Sequence, residues 1–236
     1  MTESNQTAPH TFHEFGLDRL SAMKSKGFNP NCIFDVGASD GRWSKSVMQI
    51  FPDATFHLFE PQVDIASEYQ QTMADFISQN PNAVLHKTAV GPEDGTVTFN
   101  VSENNPVGST SITPANPARY TQVESPLTKL DSVIESGVAI PQFVKMDIQG
   151  AELDALRGFE KNLKEVDLLL LETWLSRGYG SNTPLIHELI DFLLPHGFYM
   201  FDLGGCYRNA SDSLISQDFF FVNKNSSSEL ISDFRF

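Results

Sequence analysis

The sequence predicts an α/β fold in which helices cover both faces of a mostly parallel sheet. Short apolar segments alternate with segments whose apolar residues repeat at helical spacing through the middle of the chain. Residues 33–41, IFDVGASDG, indicate a buried strand that enters a glycine turn, and a helix opens at Arg42. Glu60 follows the next apolar segment, where a carboxylate in a βαβ unit can bind the ribose hydroxyls of a nucleoside.

Composition suits one domain over residues 1–236, because 40% of the residues are hydrophobic and can supply a core. The 16 basic and 30 acidic residues give a net charge of −14, which argues against nonspecific binding to nucleic acid or to an anionic membrane. The polar N-terminus has no signal-peptide pattern, and no apolar run approaches the length of a membrane span. We expect a cytoplasmic protein. Its two cysteines have neither metal-ligand spacing nor a disulfide pattern.

The first part of the chain predicts three strands and three helices after a loose tail at residues 1–10. Residues 11–14 resemble a capping box that opens a helix ending near Lys26. The helix after the glycine turn ends before Pro52, and apolar positions from 63 to 77 repeat at helical spacing. Strands are expected at residues 33–36, 55–59 and 83–90.

Residues 91–128 are predicted to be an insertion. Residues 96–102 alternate as a strand does and indicate an added hairpin. Residues 102–126, rich in Ser, Thr, Asn and Pro, are expected to form an irregular loop. Beyond the insertion we expect helices at 130–136, after 150 and at 184–194, strands at 142–148, 167–171, 198–201 and 218–222, a connection at 203–216 and a loose tail at 224–236.

Four motifs in a fixed order indicate a family. They are DVGASDG at residues 35–41, FEP at 59–61, VKMDIQGAELDALRGF at 144–159 and the leucine-rich LLLLE that ends at Glu172. With LDS at 130–132 before the third motif, they make residues 30–200 resemble class I S-adenosylmethionine-dependent methyltransferases and, more narrowly, the FkbM family. Ser39 stands where that family often has Asn, and Gln149 where it more often has Glu. These departures concern the substrate more than the cofactor.

The resemblance implies a three-layer sandwich with a doubly wound, seven-stranded sheet, an antiparallel last strand and a small hairpin insertion. It implies S-adenosyl-L-methionine as cofactor and a hydroxyl of a small molecule, such as a sugar or natural product, as methyl acceptor. Neither nucleic acid nor membrane is expected as a partner, and a homo-oligomer is left open.

The charge next to the glycine turn also distinguishes among possible cofactors. The G-x-G-x-x-G pattern of dinucleotide folds is absent, and Asp35 lies two residues before Gly37. A carboxylate there disfavours a pyrophosphate and favours the sulfonium and amino groups of S-adenosylmethionine. The predicted cofactor-binding residues are Asp35, Gly37, Ala38, Ser39, Gly41, Trp43, Glu60, Pro61, Ala89, Val90, Ser109 and Asp147.

Three carboxylates are catalytic candidates because methyl transfer to a hydroxyl requires removal of a proton. Asp147 ends a predicted strand and is the first choice, ahead of Glu152 and Glu172. Glu152 is equally well explained as a first-turn acid that interacts with a helix dipole. No metal site is predicted, since the spacing of these acids does not demand one. Trp174, Arg177 and Tyr179 either line an acceptor pocket or serve packing.

The sequence leaves two other functions open. The chain could be a module that binds the cofactor without turnover, which would still need the turn and Glu60. A nicotinamide-dependent oxidoreductase is disfavoured by the glycine spacing.

Overall fold

A computed structural model describes residues 16–65, 67–102, 108–226 and Leu230. Its main sheet has seven strands in the order β3-β2-β1-β7-β8-β10-β9. Every pair from β3 to β8 is parallel, whereas β10 runs antiparallel to both of its neighbours. The strands are β1 Cys32–Val36, β2 Thr55–Phe59, β3 Ala83–His86, β7 Phe143–Met146, β8 Leu168–Trp174, β9 Phe198–Arg208 and β10 Leu214–Asn223.

Helices cover both faces of this sheet, as the predicted three-layer architecture requires. They are α1 Leu17–Ser25, α2 Arg42–Met48, α3 Ser67–Gln79, α4 Leu130–Glu135, α5 Glu152–Arg157 and α6 Ile186–Leu193. A core on one face contains Leu20, Val47 and Met73 from the first three helices. A second core contains Leu130, Leu156 and Leu189 from the other three. The predicted fold class, including the antiparallel last strand, is confirmed.

The chain order places a topological switch point beside β1. From β1 the chain proceeds through β2 to β3 on one side, and it returns to the other side of β1 with β7 and β8. Open α/β sheets bind their ligands in the crevice at the carboxyl ends of the strands at such a point. The relevant strand ends are Val36, Phe59 and Met146.

The insertion forms a small sheet of three strands in the order β4-β6-β5. Its strands are β4 Ala89–Val90, β5 Gly95–Ser102 and β6 Tyr120–Thr128. The antiparallel β5–β6 pair confirms the predicted hairpin addition. The irregular loop expected up to residue 126 is wrong from Tyr120 onward. The strand was missed because most of β6 is partly or fully exposed and its side chains are therefore largely polar.

Two other strand boundaries differ from the sequence-based expectation. The apolar stretch 83–90 contains two strands, because β3 pairs with β2 and β4 pairs with β6 in the other sheet. The expected connection at 203–216 is mostly strand, since β9 extends to Arg208 and β10 starts at Leu214. The sequence did not indicate this extension because Gly204 and Gly205 are unfavourable within a strand. In the structure, a Cβ on Gly204 would lie only 2.8 Å from the Cβ of Asp218, so the absence of a side chain allows the two strands to approach.

The chain ends were expected to be loose. Residues 1–10 and the capping box at 11–14 lie outside the described residues, as do 227–229 and 231–236. Residues 224–226 form a turn in which the Lys224 amide donates to the Gly197 carbonyl at 2.9 Å. Within the described ranges, no helix has both the length and the apolar character needed to cross a bilayer.

Candidate functional site

A cleft with an empty volume of about 610 Å³ opens at the switch point, above the ends of β1, β2 and β7. Its size suits a nucleoside-type ligand. The predicted cofactor residues that line it are Gly37, Ser39, Glu60, Pro61, Ala89, Val90, Ser109 and Asp147. It is also lined by residues that the sequence did not single out as binding residues, namely Val36, Phe59, Gln62, Thr88, Phe99, Ser111, Ile148 and Gln149.

The turn after β1 is held close to both neighbouring strands. The amides of Gly37 and Ala38 donate to the Phe59 carbonyl at 3.0 and 3.1 Å. Gly37 has a φ of 80°, and a Cβ built on it would overlap the carbonyl oxygen of Asp147. Glycine is therefore required here by backbone conformation and by the approach of the loop after β7. Ser39 also has a positive φ, 53°, and turns its amide toward Glu60.

Glu60 is almost completely buried at the end of β2 and contributes its carboxylate to the cleft. One oxygen accepts the Ser39 amide at 2.8 Å and the other accepts the Gln62 amide at 2.9 Å. Burial raises the pKa of Glu60, and these two hydrogen bonds and the charge of Lys145 counter that rise. The Gln62 side chain is a third donor to this carboxylate. A carboxylate has about four acceptor positions, so acceptor capacity remains for a hydroxyl donor.

Three other predicted cofactor residues lie behind the cleft rather than along it. Ala38 is buried, and Gly41 is the N-cap of α2, where a Cβ would lie 3.4 Å from the ring of Phe76. Trp43 packs edge-on against Phe143, with ring centroids 5.7 Å apart. Ala38 and Gly41 therefore have positions that support the turn, whereas Trp43 also lines a smaller cavity beside the cleft.

Asp35 differs most from its predicted role. Its side chain is fully buried and absent from the wall of the cleft. One carboxylate oxygen accepts the Ser44 hydroxyl at 2.7 Å, and the other lies 3.2 Å from the Lys145 ammonium. In this structure the carboxylate faces Lys145 and not the cleft, which does not support the predicted contact with a cationic ligand. Asp35 instead serves as the counter-ion of a buried lysine.

Lys145 is a charged residue in β7, a central strand whose residues are all buried. Its ammonium donates to the Gly37 carbonyl at 2.8 Å and lies 3.8 Å from the Asp147 carboxylate. Burial lowers the pKa of Lys145, but the carboxylates of Asp35 and Asp147 more than offset this and raise it overall. The lysine therefore stays charged and ties the glycine turn to the strand beside it.

Asp147 is the predicted catalytic residue with the most accessible carboxylate, since 42% of its side chain is exposed. It lines the cleft and also a second, smaller cavity beside it. The Gln149 amide donates to one of its oxygens at 2.6 Å. Gln149 in turn accepts the Tyr179 hydroxyl, and its φ of 58° is unusual for a residue other than glycine. These contacts fix the direction of the Asp147 carboxylate.

The smaller cavity, here called the acidic chamber, has an empty volume of about 260 Å³. It is lined by Trp43, Lys145, Met146, Asp147, Leu170, Glu172 and Asp218. Asp218 lies directly opposite Glu172 in the antiparallel β10–β8 pair. Burial raises the pKa of Asp218 to about 7, and burial together with the neighbouring acids raises that of Glu172 well above its usual range.

Glu152 does not line the cleft or the chamber. It is fully buried in the first turn of α5, and its carboxylate accepts the amides of Ile148 at 2.9 Å and Gly150 at 3.1 Å. Burial raises its pKa to about 7. These hydrogen bonds indicate that Glu152 fixes the conformation of the loop after β7. This role resembles the structural alternative, in which Glu152 is a first-turn acid of the helix.

The three residues predicted to line an acceptor pocket after β8 make different contacts. Tyr179 packs edge-on against Trp174, with ring centroids 5.0 Å apart, and reaches Gln149 through its hydroxyl. Arg177 instead pairs with Glu188 at 2.7 Å at the start of α6. Tyr179 therefore contacts a residue of the cleft wall, Gln149, whereas Arg177 holds the loop against α6.

Sequence reasoning missed three residues of this arrangement. Lys145 could have been found, because a lysine in an otherwise apolar strand must be paired when it is buried. Gln149 gave a weaker signal, as a departure from a motif. Asp218 gave none, since its place opposite Glu172 depends on the register of β10. Among the described residues, no group of three His, Cys, Asp or Glu side chains is placed to hold a metal ion.

Comparison with known proteins agrees with this geometry. A family model described as the methyltransferase FkbM domain matches residues 35–200. The 2-O-methyltransferase NoeI of Sinorhizobium fredii (strain NBRC 101917 / NGR234) is 23% identical over 175 residues, which cover 68% of this chain and 70% of that protein. The crystal structure of a methyltransferase FkbM from Methylobacillus flagellatus KT matches with a TM-score of 0.51 at 18% identity, over 80% of this chain. This chain spans 43% of the length of that structure.

Proposed function

The chain belongs to the methyltransferase FkbM domain family, and from that premise we propose that it transfers a methyl group from S-adenosylmethionine to a hydroxyl of a small molecule. The observation that carries the proposal is the cleft at the switch point, with the Glu60 carboxylate in its wall. The relative NoeI is named for O-methyl transfer, which supports a hydroxyl acceptor for this chain as well.

The residues of the cleft fit the adenosyl part of this cofactor. Glu60 would bind the ribose hydroxyls with the acceptor capacity that its contacts with Ser39 and Gln62 leave. Phe59, Ala89 and Val90 provide an apolar wall next to it, as an adenine ring requires. The backbone of Gly37 supplies a close approach that no side chain obstructs. These residues would therefore hold the nucleoside part of the cofactor in the cleft.

S-adenosylmethionine, when bound, supplies an electrophilic methyl group whose transfer releases a neutral thioether. The chain itself has to align the acceptor and remove the proton of its hydroxyl. Asp147 would remove this proton, and its partly exposed side chain in the wall of both cavities supports that role. Gln149 and Lys145 orient that carboxylate from two sides. Glu172 lies deeper in the acidic chamber and would contact the acceptor rather than start the reaction.

Calorimetric titration with S-adenosylhomocysteine and, separately, with NAD tests the cofactor. We expect the first to bind and the second to bind far more weakly. Binding of NAD without S-adenosylhomocysteine would reject the proposal in favour of an oxidoreductase.

The Asp147→Asn variant separates an enzyme from a module that only binds the cofactor. We expect it to bind S-adenosylhomocysteine as the wild type does and to release little of it from S-adenosylmethionine with a panel of sugars as acceptors. Asp154→Asn, an equal change at an exposed position of α5, serves as the control. Equal turnover by both variants would reject the role of Asp147, and no turnover by the wild type with any hydroxyl acceptor would favour the binding module.

A further inference from the structure

The acidic chamber contains chemistry that cofactor binding does not use. It is smaller than half of the cleft, so it can take only the end of a ligand and not a nucleoside. It meets the cleft at Asp147, which lines both. A molecule that enters the chamber therefore lies next to the position from which the methyl group would be transferred.

The titratable groups around the chamber are predominantly acidic. Asp147, Glu172 and Asp218 line it, and one cation, Lys145, faces them from β7. The charge of Lys145 is already balanced by Asp35 at 3.2 Å. Glu152 adds negative potential from α5 behind the loop, although its carboxylate is bonded to backbone amides. Among the described residues the chamber thus has more carboxyl groups than cations, and its one cation, Lys145, is shared with Asp35.

Two polar atoms of the chamber are buried without a hydrogen-bond partner among the described residues. One is Oε2 of Glu172, whose other oxygen accepts the Ser216 hydroxyl at 3.1 Å. The other is the indole N–H of Trp43, a side chain that is only 4% exposed. A buried polar atom without a partner is costly, so both atoms call for a ligand. The carboxylate oxygen needs a donor and the indole needs an acceptor.

We propose that the acidic chamber binds a protonated amine of the acceptor substrate, so that the acceptor is an amino alcohol such as an amino sugar. This rests on the proposed function and specifies its substrate class. The ammonium donates to Glu172 and Asp218, and an oxygen of the same ligand accepts from Trp43. A protonated amine has no free electron pair, so the methyl group goes to the neighbouring hydroxyl, from which Asp147 removes the proton.

An uncharged polyol fits this chamber less well. A hydroxyl can donate to Glu172, but it leaves the surplus negative charge uncompensated in a buried site. An ammonium both donates and compensates, and charge-assisted hydrogen bonds are about twice as strong as neutral ones. A carboxylated acceptor would be repelled by the same groups.

The test compares glucosamine with glucose as probes, by calorimetry and by saturation-transfer NMR, with the protein saturated by S-adenosylhomocysteine. We expect the wild type to bind glucosamine at least about tenfold more tightly than glucose, as a charge-assisted contact implies. Asp218→Asn keeps the shape of the side chain and should reduce this preference to about threefold or less. Asp53→Asn, the same change at an exposed position, should leave it unchanged.

A second readout reports on Asp218 itself. A bound ammonium stabilises the ionised carboxyl, so glucosamine binding at about pH 7 should release protons, which calorimetry in buffers of different ionisation enthalpy detects. Asp218→Asn should reduce this release. Equal affinity of the wild type for both sugars would overturn the inference, as would a preference that survives in Asp218→Asn.

The amine of the cofactor is the competing occupant of the chamber. Binding of S-adenosylhomocysteine and of 5′-methylthioadenosine, which lacks the amino acid part, separates the two. If Asp218→Asn weakens the first ligand but not the second, the chamber serves the cofactor and our inference is wrong. If S-adenosylhomocysteine does not bind the wild type at all, the proposed function fails instead, so the two failures are distinguishable.

Discussion

Replacing Lys145 by methionine tests the buried ion pair that anchors the glycine turn. Methionine keeps most of the volume but removes the charge 3.2 Å from Asp35. It also removes the hydrogen bond to the Gly37 carbonyl. The Asp35 carboxyl is fully buried and would keep Ser44 as its hydrogen-bond donor among the described residues, without a cation. The variant therefore leaves a buried charge uncompensated.

The cost follows from the difference between buried and exposed ion pairs. Removing one partner of a buried pair costs about 3–5 kcal/mol, because the other charge remains in a medium that solvates it poorly. The pair between Lys87 and Asp64 has a shorter distance, 2.7 Å, but both of its side chains are more than half exposed. Such an exposed pair is worth about 0–1 kcal/mol. Lys87→Met is thus a matched control with the same substitution.

Urea denaturation followed by circular dichroism measures both variants. With a urea dependence of about 3 kcal/mol/M, Lys145→Met should lower the midpoint by roughly 1–1.7 M, while Lys87→Met should leave it nearly unchanged. Adding Asp35→Asn to Lys145→Met should recover part of the loss, because the buried charge is then gone. A Lys145→Met midpoint equal to that of Lys87→Met would refute the role assigned to the Asp35–Lys145 pair.

Three further predictions concern the cleft and the chamber. Glu60→Ala should weaken binding of S-adenosylhomocysteine by about 1–3 kcal/mol. It should weaken a 2′,3′-dideoxy analogue less, and an equal calorimetric loss for both ligands would contradict the ribose role. Folding raises the pKa of Asp218 to about 7, so its contribution to stability is present below the unfolded pKa near 3.9 and is lost as pH rises toward 7. Asp218→Asn should therefore gain stability relative to wild type between about pH 4 and 7, and a pH-independent difference in urea denaturation would contradict this. Gly37→Ala should destabilise the protein by about 2 kcal/mol or more, since its Cβ overlaps the Asp147 carbonyl, whereas Gly137→Ala, with a φ of 107° and open space around it, should cost less in thermal unfolding.

The sequence predicted the parts of this fold that local pattern determines. The alternation of apolar strands and amphipathic helices gave the layers, and the glycine turn with Glu60 gave the position of the cleft. Where side chains were polar on a half-exposed strand, as in β6, the pattern failed. The pairing of β4 with β6 could not be found either, because a partner in a second sheet leaves no periodic signal in the strand itself.

The site was harder to predict, because its chemistry depends on which groups meet across strands. Asp35 was expected to face a ligand from its place before Gly37, but the parallel register puts it opposite Lys145. Side chains alternate between the faces of a strand, so a residue near a glycine turn can point away from it into the core. Asp218 was missed for a related reason, since its meeting with Glu172 is decided by the register of an antiparallel pair.

The four acids at strand ends illustrate how one sheet edge divides its carboxylates among different tasks. Asp35 meets the cation Lys145 in the core and becomes structural. Glu60 meets two backbone amides, which hold a buried carboxylate in place and leave acceptor positions toward the cleft. Glu172 meets another acid, Asp218, and one of its oxygens is buried without a partner among the described residues, so its ionisation is costly until a ligand brings a donor. Asp147 has a side chain that is 42% exposed, so its carboxylate is partly accessible to a ligand. The neighbours of each acid, rather than its place at a strand end, decide its chemistry. A substitution that changes a neighbour should therefore alter the role of the acid even when the acid itself is retained.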